Sequence, residues 1–142
     1  MSRDLWAAIA ATVAVVVVAI LGFRVLGSPA SQRLVQADLR TVHALGELAQ
    51  QINGKWSTGS RPLAADLEKF PSSVRQDPVS GKPFIYHAKS NDEYELCATF
   101  ATDNRDAPAV NTADPWIHPK GEYCFPFQAS GQVQVPWVPN GY

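Results

Sequence analysis

The sequence is poor in charge and lacks the common catalytic motifs. Only 18% of its 142 residues are charged, below the roughly 25% usual for soluble proteins. The net charge of −1 provides no basic surface of the kind that binds nucleic acid. No Gly-x-Ser-x-Gly, zinc-ligand spacing or phosphate-binding glycine motif occurs. We therefore expect a protein that is not an enzyme and that holds no metal and no cofactor.

Cysteine is almost absent, and the two residues present, Cys97 and Cys124, do not form a CxxC redox motif. Each falls on a predicted strand, so the sequence predicts a disulfide that joins two strands. Such a bond would close a loop of 28 residues and contribute roughly 3–4 kcal/mol. It would require an oxidising compartment such as the periplasm. The alternative is a pair of buried free thiols.

One long apolar run, Leu5 to Phe23, contains no charged residue and is bracketed by Asp4 and Arg24. As a helix it would span about 28 Å, close to the ~30 Å hydrocarbon thickness of a bilayer. We predict an uncleaved transmembrane anchor. A removed signal peptide and a buried core helix are the alternatives.

The residues of this span predict how it sits in a membrane. Trp6 lies near one end, where indoles favour the headgroup level. Small residues would let another helix approach closely, which predicts membrane-packing positions at Ala7, Ala11 and Ala14. Arginines after the span would place the C-terminal side in the cytoplasm, whereas a disulfide requires the opposite. We follow the cysteines and expect a bacterial inner-membrane protein with a cytoplasmic N-terminus and a periplasmic domain.

A second helix is predicted from Ser31, as its N-cap, to Asn53, with Gly54 as its stop. Its apolar residues recur every three or four positions, which predicts one buried face. They are Val35, Leu39, Val42, Leu45, Ala49 and Ile52, and polar residues such as Glu47 and Gln50 fall mostly on the other face.

The remaining chain predicts a small antiparallel sheet. After a short helix at Leu63–Phe70, stopped by Pro71, a turn at residues 77–83 leads into strands at Phe84–Ala88 and Tyr94–Ala101. A third strand is predicted at Glu122–Phe127, and Val133 and Val135 suggest a short edge strand. The fold class is α+β, divided into an anchor at 1–28, an amphipathic helix at 29–54, a domain at 55–127 and a tail at 128–142.

The polar candidates for chemistry have simpler structural explanations. His43 is interpreted as a residue at the boundary of the amphipathic face. His118 near Asp114 could form a catalytic pair, but no nucleophile accompanies it. Asp103, Asp106 and Asp114 could bind calcium from one loop, although their spacing is not that of an EF-hand, and a solvated loop is preferred.

The C-terminal tail carries the best candidates for partner docking: Trp137, Val138 and Tyr142. Apolar groups on an extended, proline-restrained segment suit docking into a groove of another protein. The alternative is that the tail folds back over its own sheet. Trp116, in the long loop between the second and third strands, presents the same choice.

A membrane helix, an amphipathic helix and an antiparallel sheet resemble the layout of type IV pilins and pseudopilins. The local resemblance covers Leu63 to about Ala101 and rests on Pro62-Leu63 with Leu67, Asp77-Pro78-x-x-Gly81-x-Pro83-x-x-Tyr86 and Tyr94-Glu95-Leu96. The apolar run begins at Leu5 without that family's leader and contains no glutamate, so the resemblance implies the architecture of the soluble part. The surroundings of the two cysteines are similar to small membrane-anchored bacterial proteins of unassigned function.

These features predict a single-pass accessory subunit whose periplasmic domain docks on or braces a larger membrane complex, of a photosynthetic, respiratory or transport kind. Its expected partners are other membrane subunits and the lipid bilayer, with contact to pigments or lipids of the host complex. The alternative is a pseudopilin-like component of a type II secretion or type IV pilus machine.

Overall fold

The computed structural model describes residues 3–26, 28–59, 67–105 and 114–136. It confirms an α+β fold, and the chain divides into two compact units, residues 1–33 and 34–142. The elements in chain order are α1 (Arg3–Leu26), α2 (Pro29–Ser57), α3 (Ser72–Arg75), β1 (Ile85–Ala88), β2 (Glu93–Phe100) and β3 (Gly121–Gln128).

Helix α1 is an apolar helix whose side chains from Arg3 to Leu21 are exposed. Its stretch Arg3–Gly22 is long and apolar enough to cross a membrane, and none of it is buried. The one polar side chain within the apolar run is satisfied locally, because the Thr12 hydroxyl donates to the Ala8 carbonyl oxygen at 2.9 Å. The uninterrupted helix that the sequence predicts is confirmed.

Helix α2 begins three residues earlier than predicted, since Ser28 and not Ser31 caps it. The Ser28 hydroxyl accepts the backbone N–H of Ser31 at 3.2 Å, and the Ser28 carbonyl accepts that of Gln32. Pro29 then occupies the first helical position, where its missing N–H costs nothing. Ser31 instead turns its hydroxyl back to the Ser28 carbonyl at 2.9 Å.

The predicted stop of α2 at Gly54 is wrong, because the helix continues to Ser57. The side chain of Trp56 packs against the core, and its indole N–H donates to the Asn91 carbonyl at 3.2 Å. These contacts stabilise one further turn. The chain then leaves the helix at Gly59, whose φ of 109° suits a residue without a side chain.

The prediction around Pro71 is also wrong for its described residues. Leu67 to Phe70 form a turn, and the short helix α3 follows Pro71 and does not precede it. Proline has no N–H to lose at a helix start, which explains the order. Residues 60–66, which hold the rest of the predicted helix, lie outside the described residues.

The predicted turn at residues 77–83 is confirmed and is organised by a buried aspartate. The carboxylate of Asp77 accepts the backbone N–H groups of Val79 and Ser80, each at 3.1 Å, and the hydroxyl of Thr41 on α2 at 2.8 Å. Burial alone would raise the pKa of Asp77, but hydrogen bonds from Ser80, Val79 and Thr41 outweigh it and lower the pKa below 3.8. The turn is thereby fixed to helix α2.

The sheet has three antiparallel strands in the order β1-β2-β3. Along β2, Tyr94, Leu96, Ala98 and Phe100 are buried, as the alternation predicts. Together with Phe125 they form one core cluster with Val42, Leu45, Leu48, Ala49 and Ile52 of α2. The predicted packing of the sheet on the amphipathic helix is therefore confirmed for these residues, whereas Val35, predicted on the same face, is 46% exposed.

The predicted disulfide joins Cys97 and Cys124, which are directly opposite each other on β2 and β3. Both cysteines alternate with the core-facing residues, so the bond lies on the other face of the sheet. The edge strand suggested at Val133 and Val135 is not formed, because residues 132–136 have no strand pairing.

Candidate docking surface

Trp116, one of the predicted docking residues, belongs to the core of its own domain. Only 5% of it is exposed, and its ring packs edge-on against Phe125 at a centroid distance of 5.1 Å. The indole N–H donates to the carbonyl oxygen of Gln134 at 2.7 Å. The structure thus favours the fold-back alternative for Trp116, because an indole buried in this way offers little surface to a partner.

The first part of the C-terminal tail lies along helix α2 of its own chain. We call residues Gln132–Pro136 the strap. Side-chain donors on α2 reach its carbonyl oxygens: Gln50 Nε2 lies 3.4 Å from that of Val133, and His43 Nδ1 lies 2.9 Å from that of Pro136. With its proton on Nδ1, the His43 ring donates to the strap. The remaining ring nitrogen lies 3.3 Å from a Glu47 carboxylate oxygen.

The turn that leads into the strap is held by Asn53. Its amide nitrogen donates to the carbonyl oxygens of Gln128 at 3.1 Å and Gly131 at 2.8 Å. Its amide oxygen accepts the hydroxyl of Tyr94 at 2.7 Å, which fixes the orientation of the amide. Burial, with Tyr86 nearby, raises the pKa of Tyr94, so this hydroxyl remains a donor.

Gly46 makes room for the strap at its closest approach to α2. A Cβ atom at this position would lie 3.1 Å and 3.3 Å from the two methyl carbons of Val135, and 3.3 Å from the Trp116 ring. The residues His43, Gly46, Gln50 and Asn53 are spaced by three, four and three positions, so they form one stripe along the helix. We call these four residues the α2 stripe.

An open cleft of about 950 Å³ borders this region. Its lining combines aromatic residues with charged and amide residues, among them Lys89, Glu93 and Glu95, and includes residues 131–134. The aromatic residues are Tyr94, Trp116, Tyr123, Phe125 and Phe127.

The long connection after β2 is fixed by Asp38, which sequence reasoning missed. This buried carboxylate accepts the backbone N–H groups of Ala101 at 2.8 Å and Thr102 at 2.7 Å, and the Thr102 hydroxyl at 2.6 Å. All these donors lie more than sixty positions away along the chain. The hydrophobic pattern of α2 gave no signal for this role.

The structure does not join His118 and Asp114 in a catalytic arrangement. The His118 ring is buried and stacks on Phe100 at a centroid distance of 3.9 Å, with Nδ1 near the Pro119 carbonyl at 3.2 Å. Asp114 accepts the backbone N–H of Trp116 at 2.9 Å, which makes it a turn residue.

The other loop carboxylates show no metal arrangement where they are described. A hydrogen bond and an ion pair with Arg105 lower the pKa of Asp103 to about 2. Within the described ranges, no group of three potential ligands could hold a metal ion. Asp106 lies outside these ranges.

The docking role of the tail residues and the membrane-packing role of the α1 residues stay predictions. Trp137, Val138 and Tyr142 lie outside the described residues. Trp6, Ala7, Ala11 and Ala14 are exposed on α1, which is compatible with packing in a membrane.

Comparison of the chain with protein-family models, curated proteins and solved structures finds no match. Its function is therefore inferred from its own residues.

A second signal in α2 could have revealed the stripe. Gln50 is exposed, as its polarity predicts, and its amide still reaches the strap from the same stripe as His43 and Asn53. A glycine inside a helix, followed by a polar residue at helical spacing, indicates close approach of another segment. His43 is half-buried at the edge of the apolar face, as predicted.

Proposed function

We propose that the protein is a single-pass membrane protein of non-enzymatic function, whose extracytoplasmic domain docks on a larger membrane complex. In this proposal the anchor holds the protein in the membrane, and the disulfide-linked domain provides the binding surface. The proposal extends to the bacterial inner membrane, with the N-terminus in the cytoplasm.

The exposure of helix α1 is the observation that carries this proposal. Ten large apolar side chains between Leu5 and Leu21 are each at least 44% exposed. Covering them with lipid would be worth on the order of 10 kcal/mol, at about 1 kcal/mol for each partly exposed side chain. A core helix of a soluble protein would bury its apolar residues, whereas none of the stretch Arg3–Gly22 is buried. A signal sequence has a similar composition, and the experiment below separates the two.

The disulfide supports an extracytoplasmic location for the second unit. Disulfides persist in oxidising compartments and are rare in the cytosol. A domain after a single span lies on the opposite side from its N-terminus, so the periplasmic location and the cytoplasmic N-terminus follow together.

The docking role is supported by the cleft beside the strap and by the lack of catalytic geometry among the described residues. His118 is buried against Phe100, and Asp114 is engaged in a turn. The cleft instead offers the partly exposed rings of Tyr123 and Phe127, and aromatic residues are enriched in protein interfaces. A binding module fits these observations better than an enzyme.

Membrane insertion is tested by alkaline extraction and protease protection of the full chain in spheroplasts. We expect the protein to remain in the membrane at alkaline pH, with its N-terminus intact by mass spectrometry. The variant V16R places a charge in mid-span, where it costs about 2.5–3.5 kcal/mol, and should release part of the protein. The matched control Q51R adds the same charge at an exposed position of α2 and should remain membrane-bound. Recovery of a chain without the first thirty residues would refute the anchor.

Partner docking is tested by purification in a mild detergent, followed by identification of the co-migrating chains. We expect the protein to migrate in a complex with other membrane subunits. Migration at the monomer mass of 15.4 kDa, corrected for detergent, would contradict the subunit hypothesis.

A pseudopilin-like function is the second candidate, favoured by the packing of a long amphipathic helix on an antiparallel sheet. It requires processing of the N-terminus before filament assembly. An intact Met1 in the working protein would contradict it, whereas a trimmed N-terminus at the start of the apolar run would support it.

A further inference from the structure

The strap is held on α2 through its backbone carbonyls. His43 and Gln50 engage the carbonyl oxygens of Pro136 and Val133, and Trp116 donates to that of Gln134. Every peptide presents carbonyl oxygens, so these contacts require an extended chain and place little demand on its side chains. The α2 stripe and Trp116 therefore have the properties of a groove for an extended peptide.

One side-chain position in this groove is selective. Val135 lies over Gly46 and beside the Trp116 ring. Its methyl carbons come within 3.1 Å of the point where a Cβ atom would lie if residue 46 carried a side chain. A small apolar residue fits there, and a large or charged residue does not. The strap itself supplies valine followed by proline, and proline favours the extended backbone.

The strap is held by fewer contacts than strands β2 and β3 of the sheet. Strands β2 and β3 exchange eight consecutive residue pairs and are joined by a disulfide. The contacts described for the strap are three side-chain hydrogen bonds and the packing of Val133 and Val135. Segments with few buried contacts open at lower free energy than core strands. Opening of the strap would uncover Trp116, which is otherwise 5% exposed.

We propose that the α2 stripe with Trp116 is a peptide-binding groove, and that the strap is its resident occupant. An extended segment of the partner, with a small apolar residue followed by proline, replaces the strap when the domain docks. The strap already in the groove provides the template for this occupant. The proposal rests on the docking part of the proposed function and names the chemistry of the partner segment.

The test uses the full chain in detergent and a synthetic peptide of residues 128–136. The peptide carries a photoreactive diazirine analogue in place of Val135, and the cross-linked positions are mapped by mass spectrometry. We expect cross-links at α2 near Gly46 and at Trp116, reduced at least tenfold by excess unlabelled peptide. A competitor peptide with V135E should not reduce them, because it would bring a charge against Gly46 and the indole.

A locked variant provides the matched control. A Cβ atom at residue 46 would lie 3.1 Å and 3.3 Å from the Val135 methyl carbons, so cysteines in G46C/V135C are close enough to join. Oxidation should hold the strap closed and lower peptide cross-linking at least tenfold, with recovery after reduction of the new bond. If this variant does not fold, the competition between the native and V135E peptides still decides the question in the unmodified chain.

Absence of cross-links at the stripe, or equal competition by the two peptides, would overturn the groove. Peptide binding that is unchanged in a folded, locked variant would also overturn the proposed groove. None of these results depends on membrane insertion or on recovery of a partner, so the groove and the proposed function can fail independently.

Discussion

Removal of the Asp38 carboxylate should separate the end of β2 from helix α2. In Asp38→Ala, the backbone N–H groups of Ala101 and Thr102 and the Thr102 hydroxyl lose their common acceptor. Asp38 is 6% exposed, so water has limited access to the site that the carboxylate leaves. The loss should therefore appear both in global stability and in local protection of these two amides.

The magnitude follows from the contacts. A hydrogen bond to a charged group contributes about 1.5–3 kcal/mol, so three would give at most about 4.5–9 kcal/mol. Ala101 and Thr102 are half-buried, and water will replace part of what is lost. We expect Asp38→Ala to lower the free energy of unfolding by about 2–4 kcal/mol, against the 5–15 kcal/mol that is typical of a domain. Asp38→Asn should cost about half as much, because its amide keeps one acceptor oxygen.

The assay is urea unfolding of the full chain in detergent, combined with hydrogen exchange at residues 101 and 102. Asp103→Asn is the matched control, since this carboxylate is exposed and pairs with Arg105 on its own loop. It should leave the free energy of unfolding unchanged within the range of repeated measurements, because exposed ion pairs contribute little. A value for Asp38→Ala within that same range, with unchanged exchange at both amides, would refute the argument.

The remaining predictions concern the turn, the disulfide and the strap. The stabilising contribution of Asp77 is fully present above its unfolded pKa of 3.8 and is lost as pH falls through its lower folded pKa. Asp77→Asn should flatten the acid limb of a stability–pH curve, and an unchanged limb would contradict this. Replacement of Cys97 and Cys124 by alanine should cost about 3–4 kcal/mol in urea unfolding, and a loss below 1 kcal/mol would contradict the loop-entropy account. Gly46→Ala should stabilise by about 1 kcal/mol only when Val135→Ala is also present, and a double-mutant cycle without coupling would contradict their contact.

The local patterns of the sequence predicted the elements that bury apolar surface. The alternation from Tyr94 to Phe100 identified the inner face of β2, because side chains on a strand point to opposite faces in turn. The helical spacing of Val42, Leu45 and Ile52 likewise identified the buried side of α2. The two cysteines could be paired because each had already been placed on a strand.

The polar contacts could not be predicted in the same way, because their partners are distant in the chain. Asp38 lies 63 positions from Ala101, and His43 lies 93 positions from Pro136. Periodicity detects which side of a helix is apolar and does not detect what a polar side chain will meet. Gln50 was correctly placed on the exposed side of α2, but its polarity did not show that its amide reaches the strap.

Helix ends were mispredicted where tertiary contacts outweighed a local signal. Glycine at position 54 is a reasonable stop, but the turn beyond it buries part of Trp56 and gives its indole N–H an acceptor at Asn91. These gains exceed the roughly 1 kcal/mol that glycine costs within a helix. Gly59, with its positive φ, completes the exit instead.

The bond between Cys97 and Cys124 has a consequence for the survival of the domain after proteolysis. The two cysteines flank the whole connection between β2 and β3, residues 101–120. A single cut in that connection would leave both fragments covalently attached, with their strands still in register. Such a nicked molecule would run as one band without reductant and as two with it, so backbone cleavage within residues 101–120 need not separate the C-terminal part of the chain from the N-terminal part.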